Sequence, residues 1–143
     1  MTQCTKPDAL KSQVGGNHYS KMKIQPMEFA MANKWDAGAF SILKYVTRYM
    51  DKNGLQDLQK ARHFVDLREE LLHGRHQAIE VMEIGDYCRA NGFRGLQAHA
   101  LIVLSMWVWT GNTRDRLELI SAIEQLMRDF DRPVNSAEQT QNI

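Results

Sequence analysis

Cysteine is scarce: the 143-residue chain holds two, Cys4 and Cys88, and no CxxC or CxxxC pair. That excludes a disulfide scaffold and a zinc knuckle and fits a reducing, cytoplasmic setting. Three prolines, nine glycines and the lack of any low-complexity tract exclude a fibrous or linker protein. Long hydrophobic runs are missing as well. The most apolar stretch, Ala98 to Trp109, is 12 residues long, whereas spanning a bilayer takes about 20. The first residues also lack the apolar run of a signal peptide, so no membrane partner is expected. No GxxxxGK[ST] loop is present to cradle phosphates. Duplex DNA is not an expected partner either, because neither half is strongly basic and no zinc-finger or helix-turn-helix signature occurs.

What the chain does have is material for one soluble, globular fold: 43% hydrophobic residues, eight Met and three Trp. Its 18 Lys+Arg and 17 Asp+Glu nearly cancel, but they are unevenly placed. Residues 1–74 carry eight Lys and three Arg against eight acids, and residues 75–143 carry seven Arg against nine. Every lysine lies at or before Lys60. An anion-binding surface therefore belongs to the first half.

Periodicity predicts an all-α fold, a compact bundle of about six helices after an irregular arm over residues 1–26. Pro26 opens a short helix over Met27–Asn33, and Asp36 caps the next, whose stripe is Ala39, Leu43, Val46 and Met50. Asn53 and Gln56 form a capping-box-like start for a third helix running to about His73, with Gly74 as its stop. That helix carries two apolar stripes, one of Leu55, Leu58, Ala61, Val65 and Leu72, the other of Phe64, Leu67 and Leu71. A fourth helix is expected from about His76 to Ala90 and a fifth from about Gly95 to Trp109, apolar nearly all round and centrally buried. Asn112 or Thr113 caps a sixth with the stripe Leu117, Ile120, Ile123, Met127 and Phe130, and the polar tail 135–143 is expected to be disordered.

Three constellations could carry chemistry. Lys44, Arg48 and Lys52 follow one another at i+4 steps, with Ser41 beside them and Tyr45 and Tyr49 flanking. Cations bind phosphate through charge-assisted donors, and aromatic walls stack a base, so the pattern suits a nucleotide. His18-Tyr19 follows Gly15-Gly16, where backbone N–H groups can approach an anion and an imidazole can donate near neutral pH. Glu80, Glu83 and Asp86 would share a helix at i, i+3 and i+6, an array that can hold Mg²⁺ and that all-α nucleotide pyrophosphohydrolases use in pairs. Asp115 and Glu118 make a poor second pair because they sit at a helix start, where acids complement the dipole. The three acids are accordingly read as surface residues and no metal ligands are assigned.

The ordered set His18-Tyr19, Ile24-Gln25-Pro26, Phe29, Asn33, Lys44-Tyr45, Arg48, Lys52-x-Gly54, Asp57-Leu58, Lys60-Ala61 and Leu67 resembles the small SaV-like domain family of tailed phages. The similarity covers about residues 14–72. That family includes a nucleotide kinase that phosphorylates deoxynucleoside monophosphates without a P-loop. The resemblance implies a phage nucleotide-metabolism protein acting in the host cytoplasm, with His18, Arg48 and Asp57 as catalytic residues and Tyr19, Lys44, Tyr45 and Lys60 as nucleotide-binding residues. It implies ATP or another nucleoside triphosphate as donor and leaves the Mg²⁺ requirement open. The family's Gly-Asn before Lys44-Tyr45 is replaced here by Phe40-Ser41, and a later Tyr by Phe64.

The expected organisation is a kinase-like domain over 1–74, a helical extension over 75–134 that serves assembly, and the tail. The expected function is phosphoryl transfer to a deoxynucleoside monophosphate by a homo-oligomer, a homodimer in the simplest case. The alternatives are a non-enzymatic protein that binds and inhibits a host enzyme or defence complex, and, third, a nucleotide pyrophosphohydrolase.

Overall fold

A computed structural model describes residues 6–72 and 79–132. Within them the chain is all α-helical, with seven helices and no strand. The helices are α1 (Asp8–Lys11), α2 (Pro26–Ala32), α3 (Ala37–Arg48), α4 (Leu55–Leu72), α5 (Ile84–Asn91), α6 (Gly95–Thr110) and α7 (Thr113–Asp131). α1 is a single turn inside the expected irregular arm. Gly74 and the tail 135–143 lie outside the described residues.

Local chemistry explains most helix starts. Pro26 occupies the first turn of α2, where its missing N–H costs nothing, and Gln25 and Glu28 bond reciprocally across that turn. Asp36 Oδ1 accepts the Ala39 N–H at 2.9 Å, and Asn112 Oδ1 accepts that of Asp115 at 2.8 Å. The box expected at Asn53 does not form. Instead the Asn53 N–H donates to Asp57 Oδ2 at 3.3 Å, and Gly54 turns the chain at φ +51°.

α3 packs on α4 and α6 on α7, and contacts between α3 and α6 and between α4 and α7 close these four around one core. α2 lies on α3, and α5 lies on α6. Trp107, Tyr87, Phe29, Ile42, Leu43, Leu58, Leu101 and Leu104 are fully buried. Each such aromatic or aliphatic side chain contributes about 1.5–3 kcal/mol relative to exposure. Both halves of the chain feed this core: the Phe29 and Tyr87 rings lie 5.1 Å apart, and the Thr47 and Tyr87 hydroxyls are 2.7 Å apart.

Five further expectations are corrected. Met50 lies beyond the end of α3 and is exposed, so the α3 stripe is Ala39, Ile42, Leu43, Val46 and Thr47. α5 begins at Ile84, so residues 79–83 of the helix expected from about His76 are non-helical, and His76 itself lies outside the described residues. Asn33 Oδ1 accepts the N–H groups of Val81 and Met82 at 2.9 and 2.8 Å, and its Nδ2 donates to Met82 O at 2.9 Å. These bonds hold the chain non-helical up to Glu83. Glu80 and Glu83 thus precede the helix that carries Asp86, and the i, i+3, i+6 acid array does not exist. α6 is not covered on every side, because Ile102, Met106 and Trp109 stay exposed. α7 buries Leu119, Ala122, Ile123 and Leu126 while Leu117 and Phe130 are exposed, a rotation of the expected stripe set by where α4 and α6 lie.

Candidate functional site

Arg48 is the hub. Its position on α3 puts it opposite the first turn of α4, and Nε and Nη2 donate to Asp57 Oδ2 and Oδ1 at 3.2 and 3.3 Å. Nη1 donates to the Tyr19 hydroxyl at 3.3 Å. A guanidinium has five N–H groups, so two remain for a ligand. Asp57 is fully buried and the Arg48 side chain is 16% exposed. Burial disfavours the Arg48 cation, but its bonds to Asp57 and Tyr19 outweigh that and hold it more firmly protonated than usual. Burial raises the Tyr19 phenol.

His18 sits beside this hub with its ring 4.1 Å from that of Tyr19. Gln13 orients it. The Gln13 Oε1 accepts the N–H groups of Tyr19 and Ser20 at 2.7 and 3.2 Å, which leaves its Nε2 facing His18 Nδ1 at 3.0 Å. Nδ1 therefore accepts, and the neutral imidazole carries its proton on Nε2. Burial, then the positive charges of Lys52 and Arg48, push the His18 pKa below 6.5.

His18 and Arg48 line a cavity of about 260 Å³ with Lys21, Met22, Lys23, Thr47, Asp51, Ala90, Asn91 and Phe93. Lys21, Lys23 and Arg48 face a single lining carboxylate, Asp51, so the cavity is net positive. Its far wall comes from the end of α5. Asn91 pins that wall to the arm: Oδ1 accepts the Ile24 N–H at 3.2 Å and Nδ2 donates to Ile24 O at 2.7 Å.

Lys44, Tyr45 and Lys60 form an adjoining cluster. The Tyr45 ring has Lys44 Nζ at 4.5 Å, Arg48 Cζ at 5.0 Å and Lys60 Nζ at 5.5 Å, and it stacks on Phe64 at 5.8 Å. Its π surface is thus engaged within the protein, and its role is to gather cations rather than to offer a bare platform for a base. Tyr49 is buried against Phe130 and does not line the cationic cavity. Ser41 donates to Ala37 O at 2.8 Å within its own helix.

The seven residues singled out from sequence thus fall in one region. Asp57 does not line the cavity; it bonds Arg48, which does, and accepts the Asn53 N–H. Lys21, Lys23, Gln13, Asn91 and Phe93 were missed. The Gly-Gly-x-His-Tyr segment pointed toward the first three, whereas nothing local marks Asn91 or Phe93.

Residues 11–66 match the model of DUF3310, a protein family of unknown function. This span carries the arm, α2, α3 and most of α4, and it leaves out the α5 wall. No curated protein matches the chain, and no solved structure does.

Proposed function

We propose that the chain binds a deoxynucleoside monophosphate in the cationic cavity and accepts onto it the γ-phosphoryl group of a nucleoside triphosphate. The observation that carries this reading is the convergence of Lys21, Lys23, Arg48 and the His18 imidazole on one cavity. Phosphoryl transfer demands mostly positioning and charge neutralisation, and these groups supply both. The acceptor phosphate is largely dianionic at pH 7, with a second pKa of about 6, so its oxygen attacks without needing a base. The donor's β–γ bridging P–O bond breaks as the new P–O bond forms, and two diphosphates leave.

In this mechanism the Nε2–H of His18 and the two spare N–H groups of Arg48 hold acceptor phosphate. Asp57 and Tyr19 are positioning residues for the guanidinium. Half-buried Phe93 offers its ring to the base, and Lys44 and Lys60 meet the donor phosphates outside the cavity. We further propose that Phe64, Leu67 and Leu71, which line an apolar groove of about 280 Å³ on α4 beside Ala37 and Gly38, join two copies as a homodimer.

The test is turnover of deoxynucleoside monophosphates with a triphosphate donor, read by ³¹P NMR. Lys21→Ala with Lys23→Ala, both exposed, should slow it roughly 10- to 150-fold per lost contact, from about 1.5–3 kcal/mol each. Bound phosphate should also raise the His18 pKa, because a nearby anion favours imidazolium. Affinity should then strengthen as pH falls through the bound-state value, until the phosphate itself is protonated. Wild-type protein with no diphosphate product and no upward shift of the His18 titration would refute the reading.

A further inference from the structure

We propose that the groove between α6 and residues 80–85 docks a basic amphipathic helix of another protein. α6 leaves Ile102, Met106 and Trp109 exposed at 39%, 46% and 59%. Their i, i+4, i+7 spacing makes one apolar row about 10 Å long, two turns of helix. The opposite wall is Glu80 and Glu83, in the segment that Asn33 holds out of α5, and Ile84, the first residue of α5. Together they enclose about 420 Å³, more than the cationic cavity, and the two share no residue.

The chemistry of the rim identifies the occupant. Glu80 and Glu83 are exposed, and among the described residues neither carboxylate makes an ion pair or a hydrogen bond. An apolar floor with two uncommitted carboxylates complements an apolar stripe edged by Lys or Arg. Trp and Met are enriched at interface centres, and an unbranched Met side chain adapts to its partner. No strand edge exists among the described residues to pair with an extended peptide, so the fitting mode is a helix laid in a groove. A second copy of this chain is the poorer fit. A closed twofold contact centred here presents the same two glutamates from both sides, and like charges oppose.

The probe is a dye-labelled peptide of roughly 18 residues, leucine on one helical face and lysine on the other, long enough for several turns. Its counterpart has glutamate in place of lysine. By fluorescence anisotropy at near-physiological salt, the lysine peptide should bind saturably and the glutamate peptide about tenfold or more weaker, a difference of about 1.4 kcal/mol. Glu80→Lys with Glu83→Lys should reverse that preference. Trp109→Ser, at an exposed position, should weaken the lysine peptide about tenfold with helicity and nucleotide-induced stabilisation unchanged. Failure of the lysine peptide to bind, equal binding of both peptides, or binding that survives Trp109→Ser would overturn the proposal. So would a doubled mass in light scattering that Trp109→Ser abolishes, which would make a second copy the occupant.

Discussion

At the scale of single residues, the Arg48–Asp57 pair ties stability to the site. Asp57 is fully buried, so Arg48→Ala leaves a carboxylate in the core with, among the described residues, only the Asn53 N–H as partner. Breaking one side of a buried pair costs about 3–5 kcal/mol, a large part of the roughly 5–15 kcal/mol that holds a domain folded. Arg48→Ala should therefore lower the urea midpoint sharply, and adding Asp57→Ala should recover much of the loss. Equal midpoints for wild type and Arg48→Ala would show that water reaches the carboxylate and that the pair is not structural. Lost turnover in Arg48→Ala mixes folding with chemistry, which is why exposed Lys21 and Lys23 are the cleaner probes. Asp36 and Arg68 make a second pair, in which the arginine is the buried member. Burial alone would raise the Asp36 carboxyl, but bonds from Arg68 and from the Ala39 N–H pull it below its usual value.

At the scale of elements, the turn from α3 to α4 sets where Arg48 meets Asp57, and Gly54 makes that turn. Its φ is +51°, and a Cβ added there would lie 2.5 Å from Phe130 Cζ. The left-handed conformation costs a residue with a Cβ about 1–2 kcal/mol, and the clash adds to this until the Phe130 ring swings off Tyr49. Gly54→Ala should lower Tm. Phe130→Ala in the same chain should remove only the steric part and leave the backbone strain. A Gly54→Ala protein as stable as wild type would show that the turn relaxes to another shape without cost. The same turn passes the Asn53 N–H to Asp57, so the glycine and the buried carboxylate serve one junction.

At the scale of the whole molecule, Leu71 is 63% exposed at the end of the Phe64, Leu67 and Leu71 row. Apolar grooves of this kind favour association, and closed twofold symmetry is the commonest outcome. Light scattering should give about twice the 16.5 kDa chain mass. Leu67→Glu with Leu71→Glu should return the protein to monomer with its helicity kept. A monomeric wild type at high concentration would show that the row is ordinary partly exposed surface. Phe64 stacks on Tyr45, so this face adjoins the Lys44 and Lys60 cluster, and dimerisation would alter how ligands reach it.

The sequence by itself determined the all-α class, Pro26 as a first-turn residue, the cap Asp36, a cap for the last helix at Asn112 or Thr113, and the clustering of lysines in the first half. Each of these depends on neighbours within a turn or on composition. It also marked His18, Tyr19, Lys44, Tyr45, Arg48, Asp57 and Lys60 as a set, because motif spacing survives in one dimension. Only the tertiary structure decided what each one touches. Asp57 is a buried counter-ion and Tyr45 a cation holder because α4 packs on α3. Asn91 and Phe93 wall the cavity because Asn91 bonds Ile24, 67 positions away. α5 starts late because Asn33 holds Val81 and Met82, and α6 keeps an open face because α3, α5 and α7 cover only its other sides. Helix periodicity says which residues share a face; which faces meet depends on contacts between distant segments that share no local signal.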